Sequence, residues 1–311
     1  MNKNKCFVIF RFLFILPFLF FLNLKLFANC ELPTNVKVIS AQEYVPEKYF
    51  DKYLVIHPTS ENSKGVILVV HGLNNNIHSM TDMVALALEQ SLTVIRLVMT
   101  GHEGQRDLFE NVTADIWRQD LDGANCLAEH FAQAKKLPKH FLGFSLGALA
   151  QLEFFSRGDL SFATNFKKVI LFAPAIELKS YVPLIKSLKI LGKKHWVGSK
   201  APQEYRAHNG TPMAAYQALF DLKKSLSWPM LKSLSLNVLW IMDPKDELVD
   251  QKKIANKVKK QDLDFYWEYL AVNNANSLLD KPYHHLIVTQ RGVGDLMWIK
   301  IKQKIESFLN H

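Results

Sequence analysis

Cysteine is scarce in this chain: three in 311 residues, at Cys6, Cys30 and Cys126. So few exclude a disulfide framework, and no CxxC or His/Cys cluster has the spacing of a metal site. Long basic runs, RNP-type aromatic strands and zinc-finger spacings are also missing, and the usual means of nucleic-acid recognition go with them. Neither an internal repeat nor a low-complexity tract occurs after the first thirty residues. What remains is an ordinary balance, 49% hydrophobic and 22% charged, in a length that suits one large domain or one domain with an insertion.

The first thirty residues stand apart. "MNKNK" is basic, residues 6–22 (CFVIFRFLFILPFLFFL) are almost wholly apolar, and "LKLFANC" follows. A basic start, an apolar stretch and a small residue near its end read as an export signal over 1–29, the alternative being an uncleaved anchor. A span needs about 20 apolar residues, and this run is shorter with Arg11 inside it. "FANC" also resembles the lipobox of bacterial lipoproteins, with Asn29 where Gly or Ala is usual, which would make Cys30 a lipidated N-terminus. Cys6 would leave with the leader, so Cys30 and Cys126 alone could pair. On an apolar helix face Cys126 reads as a buried free thiol. The formal charge is +9, but the leader holds Lys3, Lys5, Arg11 and Lys25 and no acid. The remaining chain carries an excess of about +5, compatible with contact at anionic lipid surfaces.

From residue 36 onward, strand-length apolar runs alternate with helical patterns. "VKVIS" (36–40) and "YLVIHP" (53–58) read as early antiparallel strands. "GVILVVHG" (65–72) is a continuous β-branched run ending in glycine, as a fully buried parallel strand reads. Strands follow at 92–99, 139–145, 167–175, 236–243 and 265–270, with helices at 79–91, 113–136, 146–157, 251–261 and 295–309. This alternation predicts an α/β fold, a mostly parallel sheet with helices on both faces. One interval is too long: about sixty residues separate "LFAPA" from "LNVLW", against about thirty for a whole βαβ unit. The surplus, about 176–230, predicts a mostly helical cap over the carboxyl edge of the sheet, where open αβ sheets bind ligands.

"HFLGFSLGALAQL" (140–152) places Ser145 between Gly143 and Gly147, after a strand and before a helix. That is the context a G-x-S-x-G nucleophile turn requires, since glycines admit the close approach of neighbouring strand and helix. A serine needs a base, and the base needs an acid to orient it. Downstream, "DPKDELVD" (243–250) offers Asp243, Asp246, Glu247 and Asp250, and "YHHLI" (283–287) offers His284 and His285. The order Ser, acid, His is that of the α/β-hydrolases.

The chain resembles that superfamily over about residues 60–310, in particular its monoacylglycerol lipase, lysophospholipase and serine aminopeptidase-like branch. "VVHGLNN" (69–75) is similar to the HG-x oxyanion loop, and "TGHEGQRD" (100–107) to the segment after the next strand, with Glu103 and Arg106 departing from its commonest form. "DPKDELVD" is similar to the acid loop G-x-x-D-x-[VIL]-V, with Asp243 where Gly is usual. The resemblance implies Asp246 as acid, with Asp243 as competitor, and His284 as base, with His285 as competitor. It implies backbone N–H donors at Leu73 and Leu146 and no cofactor. His71 and His102 read as structural, and His195 as a surface residue. The implied activity is exported serine ester hydrolysis with a lean to lipid-like acyl substrates, the cap "SYVPLIKSLKILGKKHWVG" (180–198) being apolar and basic. A peptidase or amidase, an acyltransferase, and a non-catalytic binding protein of the same fold are the alternatives.

Overall fold

The computed structural model describes residues 30–60, 62–157, 166–234, 236–261, 266–273 and 276–311. The leader reading over 1–29 lies outside the described residues. Two units are distinguished, Met1–Glu31 and Leu32–His311, and the second carries the fold.

The strands are β1 Val36–Ser40, β2 Tyr53–His57, β3 Gly65–Val70, β4 Leu92–Leu97, β5 Lys139–Phe144, β6 Phe166–Phe172, β7 Trp196–Gly198, β8 Gly210–Pro212, β9 Asn237–Met242 and β10 Tyr266–Ala271. The main helices are α1 Thr81–Glu89, α2 Ala114–Lys135, α3 Leu146–Ser156, α4 Met213–Ser225, α5 Gln251–Gln261 and α6 Asp295–Asn310. Eight strands form one sheet in the order β1-β2-β4-β3-β5-β6-β9-β10. From β4 to β10 every pairing is parallel, and β2 joins β4 antiparallel. The two early strands therefore run against the rest, as expected, but are parallel to each other.

Strand period explains the two-sided core. Along β3, Val66, Leu68 and Val70 enter one apolar cluster with Trp117 and Leu121 of α2 and Leu149 of α3. The alternate residues Ile67 and Val69 enter another, with Met83 of α1 and Ile301 of α6. Because both faces are covered, β3 is apolar throughout rather than alternating. Each such buried side chain contributes roughly 1.5–3 kcal/mol. Helix α2 starts on Thr113, whose hydroxyl accepts the Ile116 N–H at 3.3 Å, and stops at Lys136 with φ of 53°. Cys126 on this helix is disulfide-bonded, which corrects the expectation of a free thiol.

Between β6 and β9 the chain makes a 3-10 stretch Val182–Leu191, a small antiparallel sheet of β7 and β8, helix α4 and a short helix Trp228–Lys232. The two short strands were not anticipated from sequence. The turns after β3, β5, β9 and β10 all leave the same carboxyl edge, so residues far apart in sequence meet there.

Candidate active site

Ser145 follows β5 directly and opens α3 with φ 49° and ψ −106°, a left-handed conformation for a non-glycine residue. Such a backbone costs of order 1–3 kcal/mol and persists only where its surroundings enforce it. Here they do: the Ser145 N–H donates to Phe172 O at 2.9 Å, while its carbonyl accepts from Leu149 N and Ala175 N, both at 3.1 Å. Gly147 lies so close to β3 that a Cβ would stand 2.6 Å from Val70 O and 2.7 Å from His71 O. A Cβ on Gly143 would meet the Phe141 ring at 2.5 Å. The glycines are what let strand, turn and helix close around the serine.

The hydroxyl is met by His285, whose Nε2 is 2.9 Å from Ser145 Oγ. The same ring turns Nδ1 to Asp246 Oδ2 at 2.7 Å. Asp246 is itself fixed, its Oδ1 accepting the N–H groups of Leu248 and Val249 at 2.7 and 2.8 Å. All three side chains are buried. The register inferred for the base is thereby corrected: His284, expected at the serine, instead turns its Nδ1 to Asp243 Oδ2 at 2.7 Å. Consecutive residues project apart, and each imidazole has a carboxylate of its own. Glu247 fixes the pair, its two oxygens accepting the His284 N–H at 3.0 Å and the His285 N–H at 2.9 Å. Sequence reasoning gave Glu247 no role. The available signal was an acid loop with more carboxylates than a triad uses.

His71 and His102 are staples. His71 donates from Nδ1 to Gly72 O at 2.8 Å and accepts the Met99 N–H on Nε2 at 3.0 Å. His102 donates from Nδ1 to Met99 O at 2.9 Å and accepts the Asn74 N–H on Nε2 at 3.0 Å. Burial pushes the His71 ring down to about 4 and His102 well below the usual imidazole range, so both are neutral near pH 7. His195 is exposed in the cap.

Leu73 shares a cavity with Ser145 and His285. Its peptide has a defined direction: Gly72 O accepts from His71 Nδ1 at 2.8 Å and from Asn75 N at 3.3 Å. In a trans peptide the N–H of Leu73 then points the opposite way. Leu146, as the first residue of α3, has an N–H that no intrahelical carbonyl receives. The cavity, of about 270 Å³, is walled by Phe144, Leu178, Val182, Leu219 and Leu286. Tyr216 and Tyr283 add hydroxyls whose ionisation burial makes harder. Among the described residues no group of three or more His, Cys, Asp or Glu side chains forms a metal cradle.

The sequence profile of the family described as "Serine aminopeptidase, S33" matches residues 61–248. The chain belongs to that family. The match takes in Ser145 and Asp246 and ends before the histidines. No curated protein sequence matches. Among solved structures, a metagenome-derived lipolytic enzyme of the LipS and LipT pair is 16% identical, with 83% of this chain and 97% of that one covered and a TM-score of 0.64. The monoglyceride lipase of Saccharomyces cerevisiae, solved with a substrate analog, is 12% identical over 83% and 90%, with a TM-score of 0.63. The monoacylglycerol lipase of Paleococcus ferrophilus is 13% identical over 83% and 97%, with a TM-score of 0.58. At such identities the shared property is the fold, that of the α/β-hydrolases.

Proposed function

We propose that the protein is an exported serine hydrolase that cleaves carboxylic esters of lipid-like acyl groups. The observation that carries this reading is the unbroken chain Ser145–His285–Asp246, at 2.9 and 2.7 Å, opening on an apolar cavity. His285 Nε2 takes the hydroxyl proton as Ser145 Oγ attacks the acyl carbon, and Asp246 stabilises the imidazolium. The oxyanion is received by the Leu73 and Leu146 N–H groups, each worth about 10²–10³ in rate. His285 passes its proton to the leaving alcohol, and a water repeats the sequence to free the acid.

The lining argues for esters over aminopeptidase substrates. A substrate ammonium needs an anionic partner, and Glu247 is the acidic side chain the described lining residues offer, besides Lys200 as a cation. Each Glu247 oxygen already accepts a backbone N–H, which turns the carboxylate toward the His284–His285 backbone. The lipolytic activity named for the metagenomic and yeast proteins agrees with this reading. For export, the support is the leader together with the disulfide-bonded state of Cys30 and Cys126, a state typical of oxidising compartments. A disulfide at Cys30 occupies the sulfur that lipid attachment would need. Contact with a lipid surface is supported by exposed Ile190 and Leu191 beside exposed Lys193 and Lys194.

Fluorophosphonate labelling with a panel of p-nitrophenyl esters, monoacylglycerols and aminoacyl amides tests the chemistry. Labelling and ester turnover are expected in the wild type and absent in Ser145→Ala. Labelling that persists in Ser145→Ala, or preference for the amides, overturns the proposal. Mass spectrometry of the mature N-terminus tests export.

A further inference from the structure

The oxyanion loop is attached to the cap by a run of three asparagines that the proposed chemistry does not use directly. Asn74 is buried, with φ of 56°, and every polar group it carries is engaged. Its N–H donates to His102 Nε2 at 3.0 Å and its carbonyl accepts the Ala207 N–H at 2.9 Å. Its side chain forms a reciprocal pair with one residue, Nδ2 donating to His208 O and Oδ1 accepting the His208 N–H, both at 2.9 Å. The neighbours continue the seam. Asn75 bridges Arg206, the Asn76 N–H donates to Tyr205 O at 3.0 Å, and Asn76 Nδ2 donates to Glu204 O at 2.7 Å. The segment Glu204–His208 thus lies along the loop as an added strand does, and His208 Nε2 reaches Gly101 O at 2.9 Å.

We infer that Asn74 is a positioning residue: it holds Leu73 in oxyanion-binding geometry by tying the loop to cap residues Ala207 and His208. The inference rests on the proposed role of the Leu73 N–H. Both peptide groups that flank the Leu73 Cα are pinned, Gly72 O by His71 and Asn75, and the Asn74 N–H by His102. Those bonds fix the dihedrals of Leu73 only while Asn74 keeps its left-handed backbone, and the cap supplies three of the four bonds that keep it. A donor counts in catalysis to the extent that it is aligned before charge develops, so loosening this tie costs transition-state binding rather than substrate binding.

The test uses Asn74→Gly, which accepts the backbone conformation and loses the side-chain pair, and Asn74→Asp, which turns the donor toward His208 O into an acceptor. The expected result is a fall of about 10–100-fold in kcat with KM within about twofold, Asn74→Asp the larger. Affinity for an arylboronic acid, which becomes tetrahedral on Ser145, is expected to fall by the same factor, while inhibition by octanoate stays unchanged. A rise in KM alone, or a lower kcat with unchanged boronate affinity, overturns the inference. Amide hydrogen exchange reads the tie without turnover: residues 72–76 and 204–208 are expected to exchange faster in Asn74→Gly, and unchanged exchange overturns it. A wild type that binds no boronate fails the serine-hydrolase reading instead, a result distinct from either.

Discussion

At the scale of single residues, the doubled histidine is the point where sequence and geometry part. "YHHLI" admits the terminal motif with the first histidine as base, and the residue types cannot say which imidazole faces the serine. The choice is made by two carboxylates three positions apart in the acid loop, each holding one ring, and by Glu247 holding both backbones. His285→Ala is expected to lower kcat/KM by about 10⁴-fold or more, as removal of a triad member does. His284→Ala removes one hydrogen bond outside the triad and is expected to cost less than about tenfold. Initial rates on one p-nitrophenyl ester decide the matter, and the reverse ranking would return the base to His284. Ser145 and Asp246 were named from motif register, with Asp243 competing for the acid, and both of the named residues bond to His285. The partners of Glu247 are donating backbone N–H groups, and no side-chain pattern encodes them.

At the scale of elements, the buried strands were legible from continuous β-branched runs, and the helices from the helical patterns between them. The elbow is where this local code meets a tertiary demand. Gly147 is adjacent to two carbonyl oxygens of the β3 turn, so Gly147→Ala must move backbone rather than a side chain. A loss of about 1–3 kcal/mol is expected in the denaturant midpoint, together with loss of fluorophosphonate labelling. An alanine variant of wild-type stability would show the approach to be looser than drawn. The extra length between β6 and β9 was visible in the sequence, but β7 and β8 are three residues each and too short to carry a period. Its seam with Asn74, Asn75 and Asn76 runs mainly to main-chain groups of the cap, and one asparagine reads much like another in a sequence.

For the whole molecule, the buried histidines contribute to the pH dependence of stability. His71 and His140 are both depressed to about 4 by burial, from an ordinary value of 6.5. Between those values the unfolded chain binds protons that the folded chain refuses, so stability is full above pH 6.5 and falls as pH drops toward 4. Each site contributes roughly 3 kcal/mol of that loss. Thermal melts between pH 4 and 7 should show the slope. His140→Leu should flatten it, because the His140 Nδ1 has no partner among the described residues. A slope unchanged in that variant would remove His140 from the account.

The seam between the oxyanion loop and Glu204–His208 has a further consequence for how substrate range can change. One flank of the cap is committed to the chemistry, so altering it to admit a new acyl group would degrade turnover of every substrate alike. The other flank, Leu178 to Leu191, walls the same cavity through Leu178, Val182 and Ile185, and among the described residues it has no hydrogen bond to the loop that carries Leu73. Selection of a randomised cap on a longer or shorter ester should therefore collect its substitutions between 178 and 191 and leave 204–208 untouched. The architecture separates a part that can drift from a part that cannot, within one insertion.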